Sequence, residues 1–301
     1  AALVVSVPEG EGSKSLRRAS AVFDQMAGGG IDRTAVVIGL GGGVICDLAG
    51  YVAGTYMRGL ALVHLPTTLL AQVDSAIGGK AAVNHPRAKN LIGVFHQPAM
   101  VMADVETLKA LPLREVRSGL AEVIKYGMVC DGELVTYIEE RMDALLRREV
   151  DALRKCVRWC ASIKARIVHE DERERGPRRL LNYGHTVGHA LEILAGGSLT
   201  HGEAIAVGMN VEARIAGRLG LAAEEVVRRQ EALLRHAGLP TAIPRDGPGV
   251  DETLGAMRLD KKARHGELRL TLVGDPGKGV IDEPVPDAVV KEVLVACRAS
   301  S

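Results

Sequence analysis

The segment Asn182-Tyr183-Gly184-His185-Thr186-Val187-Gly188-His189-Ala190-Leu191-Glu192 sets two imidazoles four residues apart, with a carboxylate one turn further on. On a helix this spacing puts the histidines on one face, where they can share a metal ion. Thr186 follows His185 where an HExxH protease has glutamate, so metalloprotease chemistry is disfavoured. His201, in Thr200-His201-Gly202-Glu203, opens the next periodic segment and reaches the same point if the chain reverses at Gly196-Gly197. Upstream, Glu122 and Lys125 share a helical face in Gly119-Leu120-Ala121-Glu122-Val123-Ile124-Lys125-Tyr126-Gly127. A carboxylate among Ala, Val and Ile is costly to bury unless it is paired or bound to a metal. An intrahelical Glu122–Lys125 pair would account for that segment alone. Two or three histidines plus one carboxylate, with a position left open, describe a catalytic zinc site and not a closed structural one.

A second chemistry is signalled by Gly39-Leu40-Gly41-Gly42-Gly43-Val44-Ile45-Cys46-Asp47, which follows a β-branched run and opens a helix. Glycines there permit positive φ and let backbone N–H groups approach a pyrophosphate at the helix N-terminus. Gly41 and Gly43 fit the first two places of GxGxxG and Cys46 occupies the third, so the motif alone is weak. The loop Glu9-Gly10-Glu11-Gly12-Ser13-Lys14 is able to set a carboxylate on ribose hydroxyls. Arg58, Lys80 in Gly78-Gly79-Lys80, and Lys89-Asn90 are cations among small or apolar residues, which suits a phosphate or carboxylate.

The elements that must carry these groups divide the chain. Up to Pro112, short apolar runs at 3–7, 35–38, 60–65 and 99–102 alternate with glycine turns and a helical pattern over 13–26. Such runs predict strands of a parallel sheet covered on both faces. Beyond Pro112, helical periodicity predicts helices over 115–128, 133–148, 150–170, 182–195, 203–219 and 222–236, a strand at 268–273 and a last helix near 287–298. The fold class expected is α/β: an N-terminal Rossmann-like nucleotide-binding domain over 1–112, then a mainly α-helical domain over 113–301. The first strand begins at once, whereas a nucleotide-binding sheet normally has more before it.

Composition narrows the partners. Thirty-eight Lys and Arg against 37 Asp and Glu give a net charge of +1, so no overall field holds a polyanion or an anionic bilayer. Aromatics at 3% argue against base-stacking platforms, and nucleic acid is not expected as a partner. No apolar run reaches the roughly 18 residues of a membrane span, and the N-terminus lacks the basic region of a secretory signal. A cytoplasmic protein is expected. The five cysteines have no CxxC spacing and suggest packing, not a disulfide frame or zinc knot.

Taken together, the motifs resemble the 3-dehydroquinate synthases of the sugar-phosphate cyclase family. The match runs through Gly41-Gly42-Gly43-Val44-Ile45, Tyr56-Met57-Arg58-Gly59, Pro66-Thr67-Thr68-Leu69-Leu70-Ala71-Gln72-Val73-Asp74-Ser75, Gly78-Gly79-Lys80, Ala121 to Gly127, Leu181 to His189 and His201-Gly202-Glu203-Ala204. The resemblance implies a homodimer whose first domain binds NAD and whose helical domain holds the metal, zinc or cobalt, and the substrate. By position it implies Glu122, His185 and His201 as metal ligands, displacing the His185–His189 pairing that spacing suggests. His189 becomes a substrate-phosphate and proton-transfer residue. Asp74, Lys80, Asn90, Lys125, Lys164, Glu174, Arg178 and Asn182 match substrate positions, and Arg58 is implied to reach the neighbouring subunit's site. Lys261 or Lys262 closes over the substrate phosphate. The nucleotide positions implied are Glu9, Gly10, Glu11, Gly12, Ser13, Lys14, Gly43, Val44, Ile45, Cys46, Asp47, Thr67, Thr68, Lys80, Lys89, Thr107, Leu108, Lys109 and Ala110. Two departures stand out: Cys46 replaces the usual glycine, which should tighten the pyrophosphate turn, and the family's N-terminal strands and helix are not seen.

The implied reaction converts 3-deoxy-D-arabino-heptulosonate 7-phosphate to 3-dehydroquinate and phosphate in the shikimate pathway, a carbon–oxygen lyase step in which NAD takes up a hydride and returns it. The alternatives are cyclases of the 2-epi-5-epi-valiolone or 2-deoxy-scyllo-inosose synthase type, a metal-dependent polyol dehydrogenase, and a non-enzymatic nucleotide-binding protein. The last leaves Glu122, His185 and His201 without a purpose.

Overall fold

The computed structural model describes residues 2–86, 88–259 and 268–299, and Lys261 and Lys262 lie outside them. Contacts divide the chain into two compact units, Ala1–Leu111 and Pro112–Ser301.

In the first unit, α1 (Leu16–Gly28) starts where the Ser15 hydroxyl accepts from the Arg18 amide, a normal N-cap. It is followed by β1 (Val36–Gly41), α2 (Gly43–Thr55), β2 (Ala61–Pro66), β3 (Lys80–His85), β4 (Ala88–Phe95) and β5 (Met100–Val101). Strands β1, β2 and β5 form a parallel sheet in that order, and β3 pairs antiparallel with β4 as a separate hairpin. The sheet packs one face on helix: Ala19 and Met26 of α1 and Leu48 and Val52 of α2 form a core with Leu60 and Val83. Gly50 lets α2 approach the hairpin, since a Cβ there would lie 2.7 Å from that of Ala81.

Two sequence expectations fail here. The sheet is not covered on both faces: Val36, Ile38 and Leu40, alternate residues of β1, are 52%, 61% and 64% exposed. The run at 3–7 forms no strand among the described residues, and Leu3 and Val4 are exposed. A β-branched run becomes a strand only where a sheet edge is offered to it, which local pattern does not reveal.

The second unit is helical: α3 (Leu113–Cys130), α4 (Gly132–Leu146), α5 (Val150–Glu170), α6 (His185–Leu194), α7 (His201–Arg218), α8 (Glu224–His236) and α9 (Val250–Leu259), then β6 (Arg269–Val273), β7 (Gly279–Pro284) and α10 (Asp287–Ala296). Helices α3 and α7 are buried along most of their length, including the charged Glu122 and Lys125 of α3 and Glu212 of α7. The hairpin β3–β4, helix α9 and strand β7 were not expected from the sequence. β6 pairs antiparallel with β7. Among the described residues, no helix is long and apolar enough to cross a membrane.

Candidate active site

Helices α3, α6 and α7 converge on one point. Glu122 comes from the middle of α3, His185 from the first position of α6 and His201 from the first position of α7. Nε2 of His185 and Nε2 of His201 each lie 3.5 Å from Oε1 of Glu122. One ligand atom from each of the three falls within 4.8 Å of the others. The other Glu122 oxygen, Oε2, is ion-paired with Lys125, one turn along α3. Glu122 is fully buried and Lys125 is 1% exposed, and the Lys125 ammonium also donates to the Leu181 carbonyl at 2.9 Å. One carboxylate oxygen thus faces the imidazoles while a cation holds the other.

The electrostatics of the two imidazoles diverge. Burial, together with the charges of Lys125, His189 and His201, drives the His185 pKa well below its usual value. Burial also opposes charge on His201, but its hydrogen bonds and charge interactions with Glu122 and Glu192 outweigh this and raise its pKa to about 9. His185 is a neutral donor, as ligation requires, whereas a metal reaching His201 must displace a proton. His189, four residues after His185, sits beside both rings, with centroids 5.1 Å from His185 and 6.1 Å from His201.

Glycine sets the helix spacing. A Cβ on Gly208 of α7 would lie 2.0 Å from the Gly184 carbonyl at the start of α6, and one on Gly202 would lie 2.1 Å from the Ser118 carbonyl of α3. Gly184 itself has φ 77°, a left-handed cap that turns the chain into α6. The first turn of α6 is anchored by Glu212, buried on α7, whose carboxylate accepts from the Gly184 amide at 2.5 Å and from the Val187 amide at 3.3 Å. Negative charge at a helix N-terminus is favourable. Helix α7 begins in a capping box between Thr200 and Glu203, and Arg114 of α3 grips Glu203 through two bonds of 2.8 and 2.7 Å.

Other residues from the sequence reading lie on α5 and on the turn Pro177–Asn182 that precedes α6. Lys164 of α5 and Arg178 are 6% and 2% exposed. Asn182 donates to Glu174, which has φ 57°. Asp171 holds this loop by accepting from the amides of Arg175, Gly176 and Arg178.

In the first unit, the glycine turn lies between β1 and α2, and the N-cap Gly42 supplies no side-chain acceptor to the first turn of α2. The amides of Gly43 and Val44 therefore begin a helix without a side-chain cap, the arrangement that receives a phosphate. Close packing demands the glycines: a Cβ on Gly41, whose φ is 155°, would lie 2.6 Å from Ile45, and one on Gly43 would lie 3.0 Å from the Ser75 hydroxyl. Thr67 donates its amide to Gly41 at 2.9 Å, and Thr68 faces Gly42. Gln72, fully buried, ties the end of β2 to the turn Val105–Ala110, donating to the carbonyls of Pro66 and Asp104 and to the Thr107 hydroxyl. The loop of Glu9, Gly10, Glu11, Gly12, Ser13 and Lys14 is fastened to α2 by a 2.5 Å pair between Lys14 and Asp47, while Glu11 accepts from Asn84 at 2.7 Å. Asn84 also accepts the Asn90 amide at 2.9 Å.

Lys80 and Lys89 stand exposed on the hairpin, Asp74 lies in the turn Ala71–Ser75, and Arg58 is exposed on a left-handed segment. Leu108 is a core residue, and Lys109 pairs with Glu106. Cys46 points from α2 into a cluster with Ala71 and Ala76, so its side chain packs away from the turn. Glu212, Gln72 and Asn84 escaped the sequence reading because their partners lie on distant elements.

The 3-dehydroquinate synthase N-terminal model matches residues 4–118, and the C-terminal model matches residues 119–263. The chain belongs to the 3-dehydroquinate synthase family. A curated 3-dehydroquinate synthase from Desulforamulus reducens is 48% identical across 97% of this chain and 81% of its own length. Among solved structures, the 2-epi-5-epi-valiolone synthase ValA from Streptomyces hygroscopicus, with NAD+ and Zn2+ bound, is similar with a TM-score of 0.90 at 28% identity, over 97% of this chain and 81% of that one. A 2-deoxy-scyllo-inosose synthase, complexed with carbaglucose-6-phosphate, NAD+ and Co2+, gives 0.88 at 32% identity, over 95% of this chain and 80% of the other. Both units of this 3-dehydroquinate synthase family member therefore have counterparts in cyclases that carry a dinucleotide and a divalent metal.

Proposed function

We propose that this chain acts as a 3-dehydroquinate synthase, converting 3-deoxy-D-arabino-heptulosonate 7-phosphate to 3-dehydroquinate and phosphate. The observation that carries this reading is 48% identity to a curated 3-dehydroquinate synthase over 97% of the chain, together with a fully buried Glu122 that meets His185 and a half-buried His201 at one point. The other cyclase types are less similar in sequence, at 28% and 32%. When bound, NAD would supply a reversible hydride acceptor for a ring carbinol and the divalent metal a Lewis acid for its oxygen, and the ketone left on the substrate would acidify the neighbouring C–H so that phosphate can leave.

The donor set fits zinc: Glu122, His185 and His201 would hold the ion through one carboxylate oxygen and two imidazole nitrogens, a three-ligand set of the kind that catalytic sites keep open to substrate. Lys125 balances Glu122 from behind, so that the carboxylate is tolerated in a dry interior. The proposed role of His189, whose ring lies beside those of His185 and His201, is to hold substrate phosphate and to take a proton during elimination. In the helical unit, Lys164, Arg178 and Asn182, with Glu174 orienting Asn182, are the proposed partners of the substrate's anionic groups; in the first unit, Asp74, Lys80 and Asn90 keep a proposed substrate role from the family match alone. The uncapped turn at Gly42, with Thr67, Thr68, Thr107 and the Glu9 to Lys14 loop, receives the nucleotide. Lys261 and Lys262 lie outside the described residues and keep their proposed role at the substrate phosphate from the family match alone.

The working form proposed is a cytoplasmic homodimer in which Arg58 serves the neighbouring subunit. Exposure of Arg58 on a left-handed turn supports an outward role. Mixed dimers of Arg58→Ala and His189→Ala chains should regain activity that neither parent has, and absence of complementation would return Arg58 to its own subunit. The decisive assay for the reaction is phosphate release from the seven-carbon keto-acid phosphate with catalytic NAD and no net NADH. Stoichiometric NADH would point instead to a dehydrogenase.

A further inference from the structure

Each of the two ligand imidazoles has its second ring nitrogen against an acceptor, but the acceptors differ. Nδ1 of His185 meets the Tyr183 carbonyl at 3.0 Å, and Nδ1 of His201 meets Oε2 of Glu192 at 3.3 Å. Carbonyls and ionised carboxylates only accept, so in both rings Nδ1 carries the hydrogen and Nε2 faces Glu122. The Tyr183 carbonyl is a neutral dipole fixed by the cap of α6. Glu192 is a charged group on the last turns of α6, reaching a ring on α7. Residues His189, Glu192 and His201 also form a second group whose ligand atoms lie within 4.8 Å of one another. That leaves two roles for Glu192: ligand of a second cation, or support for the first.

We propose that Glu192 is a positioning residue, which accepts the Nδ1 proton of His201 and so fixes the ring with Nε2 toward Oε1 of Glu122, and that the His189, Glu192 and His201 group is not a second metal seat. A cation in that second group would take the His201 nitrogen that faces Glu192. With a metal already on Nε2, the ring would have to surrender both protons and bridge two cations as an imidazolate. A neutral imidazole offers one lone pair and therefore one metal. The carboxylate also makes His201 a more basic donor than a carbonyl could, and it links α6 to α7 beside the site, so ring orientation and helix pairing are set by one contact. This inference rests on the proposed metal ligands and adds to them the group that aims one of the three.

The test compares the full-length protein with its Glu192→Gln variant, stripped of metal and titrated with Zn2+ against a chromophoric chelator, and in parallel with Co2+ by visible absorption. Glutamine keeps the size and loses the charge. The expected result is one equivalent of metal in both proteins, a cobalt spectrum of the same band shape, and zinc affinity lowered by about 10- to 100-fold in the variant, the range for loss of an outer carboxylate on a ligating histidine. Glu192→Asp, which keeps the charge and shortens the reach, should fall between the two, and it supplies the comparison should Glu192→Gln not fold. Zinc affinity within twofold of wild type in these variants would overturn the proposal. So would a second equivalent in the wild type that disappears in the variant. Absence of tight metal from the wild type itself would instead remove the underlying ligand assignment.

Discussion

Replacing Lys125 with Met removes one member of a buried ion pair while keeping most of the stem volume. Glu122 is fully buried and Lys125 nearly so, and deleting one partner of such a pair costs about 3–5 kcal/mol because the remaining charge is stranded. The Leu181 carbonyl also loses its 2.9 Å donor, worth roughly 1 kcal/mol. Against this, His201 holds its proton to about pH 9 beside Glu122 and supplies a substitute cation. The metal-free variant should therefore lose about 3 kcal/mol, the lower end of the range. At about 2–4 °C per kcal/mol for a unit of this size, its Tm should fall by roughly 6–12 °C. With zinc bound, the metal compensates Glu122, and only the Leu181 contribution of roughly 1 kcal/mol should remain. Calorimetric scans of wild type and Lys125→Met, each with excess zinc and with chelator, measure the difference directly. An equal drop in both conditions would refute the argument, because it would mean that the lysine stabilises packing and not the charge of Glu122.

The same cluster fixes the pH response of the metal-free protein. The His201 pKa rises on folding from 6.5 to about 9, so its contribution is full below pH 6.5 and is lost as pH climbs toward 9. The His185 pKa falls on folding, so its contribution is present above 6.5 and is lost as pH drops below it. Urea unfolding of the metal-free protein should peak near pH 6.5, and zinc uptake at pH 7.5 should release close to one proton; a flat profile with no proton release would contradict both assignments. Gly208→Ala inserts a Cβ that would meet the Gly184 carbonyl at 2.0 Å and should cost about 3 kcal/mol while weakening zinc binding. Unchanged Tm and metal affinity in that variant would show that α6 and α7 separate freely. Arg114→Ala should cost under about 1 kcal/mol despite its two bonds to Glu203, because Arg114 is 57% exposed; a Tm shift beyond a few degrees would reveal a larger role.

Which parts of this site could be read from the chain follows from where the information lies. His185, His189 and His201 stand out as imidazoles in apolar helical segments, but spacing alone pairs His185 with His189 and leaves Glu122 as a partner of Lys125; only the family resemblance singles out Glu122, His185 and His201. Gly41 to Gly43 are legible as a turn between a strand and a helix, but with Cys46 in the third place of GxGxxG the run alone does not separate a phosphate seat from simple chain reversal. Glu192 was visible as a carboxylate in register with the histidines, but its aim at His201 depends on how α7 crosses α6. Glu212 looks like any glutamate in a helix until its amide partners at Gly184 and Val187 are brought to it. The hairpin β3–β4 escaped because Lys80, Lys89 and Asn90 drew attention as cations and polar groups, while alternation in that stretch is broken by the irregular register between Val83 and His85. The open face of β1 was missed for a plain reason: Val, Ile and Leu at alternate positions read as buried whether or not a layer covers them.

The backbone contact of Gly208 with Gly184 bears on how the site behaves before any ligand arrives. Where helices meet through side chains, their separation can drift as rotamers change. Here main chain rests on main chain, and no rotamer change can widen or narrow the gap that sets His185 against His201. The backbone that carries the proposed ligands His185 and His201 is consequently fixed by direct main-chain contact, so little backbone entropy remains to be lost should an ion enter. Amide hydrogen exchange at the start of α6 and through the middle of α7 should then be slow in the empty protein and barely slower in the loaded one.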